Sequence, residues 1–129
     1  MGSVNNKTVR GNSLEPLLKN EEEVKISKKF KTISKDELVV FEHMNKEIVK
    51  IVKGVPSDTF TISSENKLFI NDKYECDVLE KCLLRDFSEC FNGILPEDNY
   101  IVLGTTMESI DSRTFGPILR KSIIGKIIK

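Results

Sequence analysis

Apolar residues recur two apart over most of this chain and three to four apart over one stretch only, and that change of period is what most narrows the fold. Successive side chains of a strand face opposite ways, whereas a helix brings residues three and four apart onto one side. Val24-Lys25-Ile26 alternates, Leu38-Val39-Val40-Phe41 is a short run of strand formers, and residues 47–53 mix β-branched with charged side chains. That mixture is expected of a strand with one face buried and the other polar or lining a site. Phe60 and Ile62, then Leu68 and Ile70, flank the polar tip Ser63-Ser64-Glu65-Asn66-Lys67, the pattern of a hairpin. Tyr100-Ile101-Val102-Leu103 predicts another strand, and a last one is predicted from about Gly116 through Ile118 and Leu119 towards Ile123-Ile124.

Between these, Leu79, Leu83, Phe87, Cys90 or Phe91, and Ile94 fall at helical spacing, which predicts one amphipathic helix within a 76–94 insert, with Asp77 as its N-cap. The predicted fold is therefore mainly β: an antiparallel sheet in one domain, 1–129, carrying that helix. Gly54-Val55-Pro56-Ser57-Asp58 and Asn71-Asp72-Lys73 read as turns. No repeat and no linker divides the chain.

Composition removes whole classes of function. Twenty acidic and twenty basic residues cancel, so no broad field favours nucleic acid as a partner. The charge is uneven locally, with Glu21-Glu22-Glu23 ahead of Lys25, Lys28, Lys29 and Lys31, and such runs are read as solvated surface. No run of about 18 apolar residues exists to span a bilayer. No secretory leader follows Met1, and Met1-Gly2-Ser3 reads as a cloning remnant. Cys76, Cys82 and Cys90 are an odd number without Cys-x-x-Cys spacing, so neither a zinc site nor a full disulfide framework is expected. A Cys82–Cys90 bridge would have to break the helix, and free thiols are the expectation. His43, the single histidine, lies in the charged turn Glu42-His43-Met44-Asn45-Lys46 and is read as a surface residue; no ligand set for a metal accompanies it, and no cofactor motif is present.

Three places carry chemistry. Gly11-Asn12-Ser13-Leu14-Glu15-Pro16 sets a serine in a turn-rich loop. Lys50 stands among Ile48, Val49, Ile51 and Val52; a lysine in such company either extends its ammonium to water or, if buried, loses charge and becomes a base. Residues 104–116 bracket Ser109, Asp111, Ser112 and Arg113 between two glycines, the composition of a tightly hydrogen-bonded loop.

Taken in order, these blocks resemble the boxes of bacterial type I signal peptidases and the related conjugative-transfer peptidases. Gly11-Asn12-Ser13-Leu14-Glu15-Pro16-Leu17 resembles the Gly-x-Ser-Met-x-Pro-Thr nucleophile box, and residues 36–41 resemble the Gly-Asp-x-Val-Val-Phe strand. Residues 49–58 resemble the Val-Lys-Arg-Val-x-Gly-Leu-Pro-Gly-Asp base box, and residues 96–126 are the closest match. Leu14, Leu17, Ile51, Ser57 and Asp36 depart from the pattern, and the loop after Gly104 is one residue short and lacks the usual Asp-Asn-Arg.

The resemblance implies a serine endopeptidase that removes signal peptides from exported preproteins. Ser13 would attack the scissile carbonyl and neutral Lys50 would take its proton and return it to the leaving amine. Ser109 would orient the Lys50 amine by a hydrogen bond, and the Ser13 N–H would bind the oxyanion. Gly11 stands where some relatives carry a second, hydroxyl donor. Asp111 and Arg113 would support the site as an ion pair. Val9, Leu14, Ile48 and Val49 would wall shallow pockets for small residues at −1 and −3, with the peptide bound by strand addition. The implied partners are preprotein signal peptides and, through an N-terminal anchor outside this chain, the membrane, with the domain a monomer on the extracytoplasmic side of the cytoplasmic membrane.

Two other readings share these residues. A self-cleaving repressor-type protease uses the same Ser–Lys chemistry, but the chain has no Ala-Gly or Cys-Gly site for self-cleavage. A non-catalytic chaperone for pilus or secretion assembly would not need Ser13, Lys50 and Ser109.

Overall fold

Leu38-Val39-Val40-Phe41, all buried, forms the middle of a seven-stranded sheet, and every strand pairing around it is antiparallel. The computed structural model describes residues 4–8, as backbone, and residues 23–128. Strands β1 (Val4–Thr8), β2 (Glu23–Ser27), β3 (Leu38–His43), β4 (Lys46–Gly54), β8 (Asn99–Leu103), β9 (Ile118–Leu119) and β10 (Ile123–Ile128) make this sheet, in the order β1-β2-β10-β3-β4-β8-β9. A smaller sheet of β5 (Phe60–Ile62), β6 (Lys67–Ile70) and β7 (Lys73–Asp77) is inserted between β4 and β8. The mainly antiparallel β architecture expected from the period is the one observed.

Alternation assigns the faces. Val39 pairs with Lys50 and Phe41 with Ile48, so Ile48, Lys50 and Val52 share one face with Val39 and Phe41. On that face a core gathers Tyr100, Val102, Ile118 and Ile123. Leu38 and Ile51 point the other way and pack with Val24, with Val49 against them. Strand β8 serves two cores, because Ile101 and Leu103 turn towards Phe60, Leu68, Leu84 and Leu95 of the inserted unit. The β3–β4 hairpin closes through Met44 (φ 51°) and Asn45 (φ 63°), a two-residue turn with both φ values positive.

Four expectations need correction. The helix α1 occupies Leu83–Cys90, shorter than the 76–94 insert, and begins at Cys82 and not at Asp77. Cys76 and Asp77 belong to β7, and Leu79 and Ile94, 68% and 51% exposed, lie outside the helix altogether. Positive φ at Asn92 and Gly93 ends the helix. The last predicted strand is two strands, interrupted by a 3-10 turn at Arg120–Ser122. A further short helix, α2 (Ser112–Phe115), lies in what the sequence presents as a loop. His43 is half-buried and ends β3, its ring stacked on Phe115 at 4.1 Å, because the turn is tighter than its charged composition implies. The cysteines are free, as expected, with Cys82 buried and Cys90 exposed.

Candidate active site

Strand β4 brings Lys50 to the sheet face as a nearly buried amine, 5% exposed. Burial lowers its pKa below the ordinary lysine value, since an ammonium loses hydration there. The Asp111 carboxylate opposes this shift and the Arg113 guanidinium adds to it. Lys50 is thereby biased towards the neutral amine, the form that accepts a proton.

The segment after β8 supplies the opposite wall. Asp111, fully buried, caps α2 and accepts from the Arg113 N–H at 3.0 Å. Its Oδ1 accepts from Arg113 Nε at 3.0 Å and its Oδ2 from Arg113 Nη2 at 2.7 Å. Oδ2 also accepts from the Gly104 N–H at 2.7 Å, which ties the two ends of the loop together. Arg113 Nη2 donates further to the Thr106 carbonyl at 2.8 Å. The Val102 N–H donates to Ser112 Oγ at 2.9 Å, fixing α2 to β8. These bonds hold residues 104–115 against the face that presents Lys50.

Between the two walls lies an open cavity of about 720 Å³. Lys50 and Ser109 line it together with Ile48, Glu108, Ile110 and Thr114; His43, Met44, Lys46 and Phe115 form the hairpin side. The lining is chiefly apolar, as suits a site that selects side chains by size and carries few polar groups for chemistry. Ser109 is 6% exposed, and among the described residues its Oγ is the one buried side-chain polar atom without a hydrogen-bond partner. The expected hydrogen bond from Ser109 to the Lys50 amine is therefore not made here. The two residues share the cavity, but the loop leaves the hydroxyl unengaged. A buried hydroxyl without a partner carries a desolvation cost of about 1–3 kcal/mol, and such sites concentrate where a structure serves chemistry.

Of the residues singled out in the sequence, the structure gathers Lys50, Ile48, Ser109, Asp111 and Arg113. Val49 stands on the opposite face of β4, packed with Val24, Leu38 and Ile51, away from the cavity. Ser13, Val9 and Leu14 lie outside the described residues. Sequence reasoning missed Phe115, His43 and Ile110; the aromatic stack has no local sequence signal, since its partners are 72 positions apart. Among the described residues no cluster of His, Cys, Asp or Glu is arranged to hold a metal, and no helix is long and apolar enough to cross a membrane.

Comparison with known proteins adds a consistent picture. A family model described as signal peptidase, peptidase S26, matches residues 2–128. The chain is 32% identical to signal peptidase I V of Bacillus subtilis strain 168 over 136 residues, which cover 92% of this chain and 80% of that protein. It is 32% identical to signal peptidase IB of Staphylococcus aureus strain COL over 142 residues, covering 93% of this chain and 73% of the relative. In fold it is similar to the crystal structure of a signal peptidase I from Enterococcus faecalis V583, with a TM-score of 0.53 at 18% identity, over 78% of this chain and 100% of that one.

Proposed function

The chain belongs to the signal peptidase family, peptidase S26, a family of serine peptidases that cleave signal peptides, and from that premise we propose that residues 1–129 form one catalytic domain using Ser13 as nucleophile and Lys50 as general base. In the proposed cycle Ser13 Oγ attacks the carbonyl carbon of the scissile bond while the neutral Lys50 amine takes the hydroxyl proton. The Ser13 N–H stabilises the oxyanion, and Gly11 supplies no side-chain donor there. Collapse of the tetrahedral adduct expels the amine of the mature protein, which receives its proton from Lys50. Water then attacks the Ser13 ester, Lys50 again relays the proton, and the leader leaves as a carboxylic acid.

The observation that carries this reading is the meeting, in one cavity, of a 5%-exposed lysine held towards its neutral form and a buried serine hydroxyl without a hydrogen-bond partner among the described residues. Ser109 Oγ is the group placed to steady the Lys50 amine once a peptide closes the cavity, since catalytic hydrogen bonds often tighten only in the substrate complex. Asp111 and Arg113 act as positioning residues. Ile48 forms part of the wall that would admit only small residues at −1 and −3, with Val9 and Leu14 as further candidates. The substrates are preprotein signal peptides, and the proposed working place is the outer face of a bacterial cytoplasmic membrane, reached through an N-terminal tether, with the domain a monomer.

A panel of presequence peptides incubated with the protein, with products weighed by mass spectrometry, tests the proposal. Cleavage after small residues at −1 and −3, abolished in both Ser13→Ala and Lys50→Ala, is the expected result. Cleavage persisting in either purified variant rules out the dyad.

A further inference from the structure

Arg113 gives two of its three side-chain nitrogens to oxygen and the third to sulfur. Nε and Nη2 donate to the Asp111 carboxylate and the Thr106 carbonyl at 2.7 to 3.0 Å. Among the described residues Nη1 meets only Met107 Sδ, at 3.8 Å, and Cys76 Sγ, at 3.9 Å. Sulfur is a weak acceptor, so a nearly buried cation keeps a donor that an oxygen would serve better.

The two sulfurs meet an oxidant differently. Cys76 is half-buried, and burial pushes its thiol up to about 11, so it holds almost no thiolate, the form that reacts with peroxides. A thioether needs no deprotonation, and Met107 is 44% exposed. Met107 and Arg113 together line two cavities, of about 170 Å³ and about 490 Å³, so an oxygen added to the sulfur has room beside the guanidinium.

We propose that Met107 is an oxidation site whose sulfoxide supplies Arg113 Nη1 with an oxygen acceptor and so braces residues 104–115. Hydrogen peroxide is the oxidant. The sulfur lone pair attacks one peroxide oxygen, the O–O bond breaks, the thioether is oxidised to the sulfoxide, and the other oxygen leaves, reduced, as water. Methionine torsions are soft enough to turn the new oxygen towards Nη1, and a hydrogen bond from a charged donor is stronger than a neutral one. The loop is already tied by Asp111 to Gly104 and by Arg113 to Thr106. The added bond joins 107 to 113, on either side of Ser109. Methionine oxidation commonly disrupts packing by making an apolar side chain polar. At Met107 the sulfur already faces a cation, so the sign reverses. The inference is independent of the Ser13–Lys50 reading.

The test uses the full chain carrying Met44→Leu and Cys90→Ala, which removes the other exposed sulfurs among the described residues. After hydrogen peroxide treatment, peptide mass verifies one added oxygen on Met107 and unaltered Cys76 and Cys82, and thermal unfolding is compared with the untreated protein. Expected is a rise in the midpoint of roughly 3–6 °C, reversed by methionine sulfoxide reductases acting on both epimers. Nitrogen-15 NMR of labelled arginine should show slower exchange of the Arg113 Nη1 protons. Adding Met107→Leu to the same chain should abolish the rise. An unchanged or lower midpoint after verified oxidation of Met107 overturns the proposal, as does a rise that persists in Met107→Leu. So does a Met107 that stays reduced under conditions that fully oxidise Met44 in the native chain.

Discussion

Asp111 and Arg113 grip each other at two points, Oδ1 to Nε at 3.0 Å and Oδ2 to Nη2 at 2.7 Å, and both are shielded from solvent. Removing one partner of such a pair leaves a buried charge uncompensated, at a cost of about 3–5 kcal/mol. Asp111→Ala should show that loss in thermal or denaturant unfolding, and the Gly104 and Arg113 N–H groups lose their acceptor as well. Arg113→Lys should not rescue the fold, since one ammonium cannot serve Asp111 and the Thr106 carbonyl in the planar geometry of a guanidinium. A loss below about 1 kcal/mol in Asp111→Ala would show that the pair is dispensable.

Lys50 gives stability and activity a shared pH dependence. Its folded pKa is lowered, so between that value and 10.5 the unfolded chain binds more protons than the folded one. Stability therefore rises with pH across that window, and the cost of burying the charged form is felt in full below it. Lys50→Met should be more stable than the native chain at neutral pH and should flatten the slope, as read from denaturant midpoints at a series of pH values. Cleavage should follow the same limb, falling as acid protonates the base.

Gly116 follows α2 with φ +88°, a conformation side chains rarely adopt, and a Cβ there would stand 2.3 Å from Phe87 Cε2. Gly116→Ala combines a backbone cost of about 1 kcal/mol with overpacking of about 1–3 kcal/mol. Since α2 carries Arg113 and borders the cleft, the variant should lose both stability and cleavage rate; unchanged unfolding would contradict the packing described.

Asp58 clasps the turn after β4 to the smaller sheet. Its Oδ2 accepts from the Val55 N–H and lies 3.0 Å from Lys35 Nζ, and its Oδ1 accepts from Asn71 Nδ2 at 3.0 Å. Asp58→Ala should cost about 1–3 kcal/mol, measured by unfolding, with cleavage specificity retained because the clasp lies outside the cleft.

Ile48 sits in the cavity wall beside Lys50. A methylene in an apolar specificity pocket is worth about 1–3 kcal/mol, roughly 10–200-fold in rate. Ile48→Ala should admit larger residues at −1 or −3 in a peptide panel, whereas Val49→Ala, on the far face, should leave cut sites unaltered.

Much of the fold is legible along the chain because alternation is a local property: β3, β4 and β8 follow from their apolar patterns. Strand β1 (Val4–Thr8) is not, since Val4 is the only apolar member of its five residues. The helical spacing of Leu79 and Ile94 is a coincidence of composition, since both lie outside α1 and are exposed. The site is legible in part. Lys50 stands out as a charge among β-branched residues, and Ser109, Asp111 and Arg113 as a polar cluster between glycines. Adjacent residues on a strand face opposite sides, so Ile48 and Val49 cannot wall one pocket. The His43–Phe115 stack arises from a contact between distant segments, which no local pattern encodes.

Titration of the Lys50 side chain itself bears on the base most directly. With lysine labelled at carbon-13 in the ε position and the Lys50 resonance assigned by its loss in Lys50→Arg, NMR across the alkaline range reads its protonation alone. A midpoint clearly below 10.5 is expected. A midpoint at or above 10.5 would mean that Lys50 stays an ammonium at working pH and cannot take the Ser13 proton.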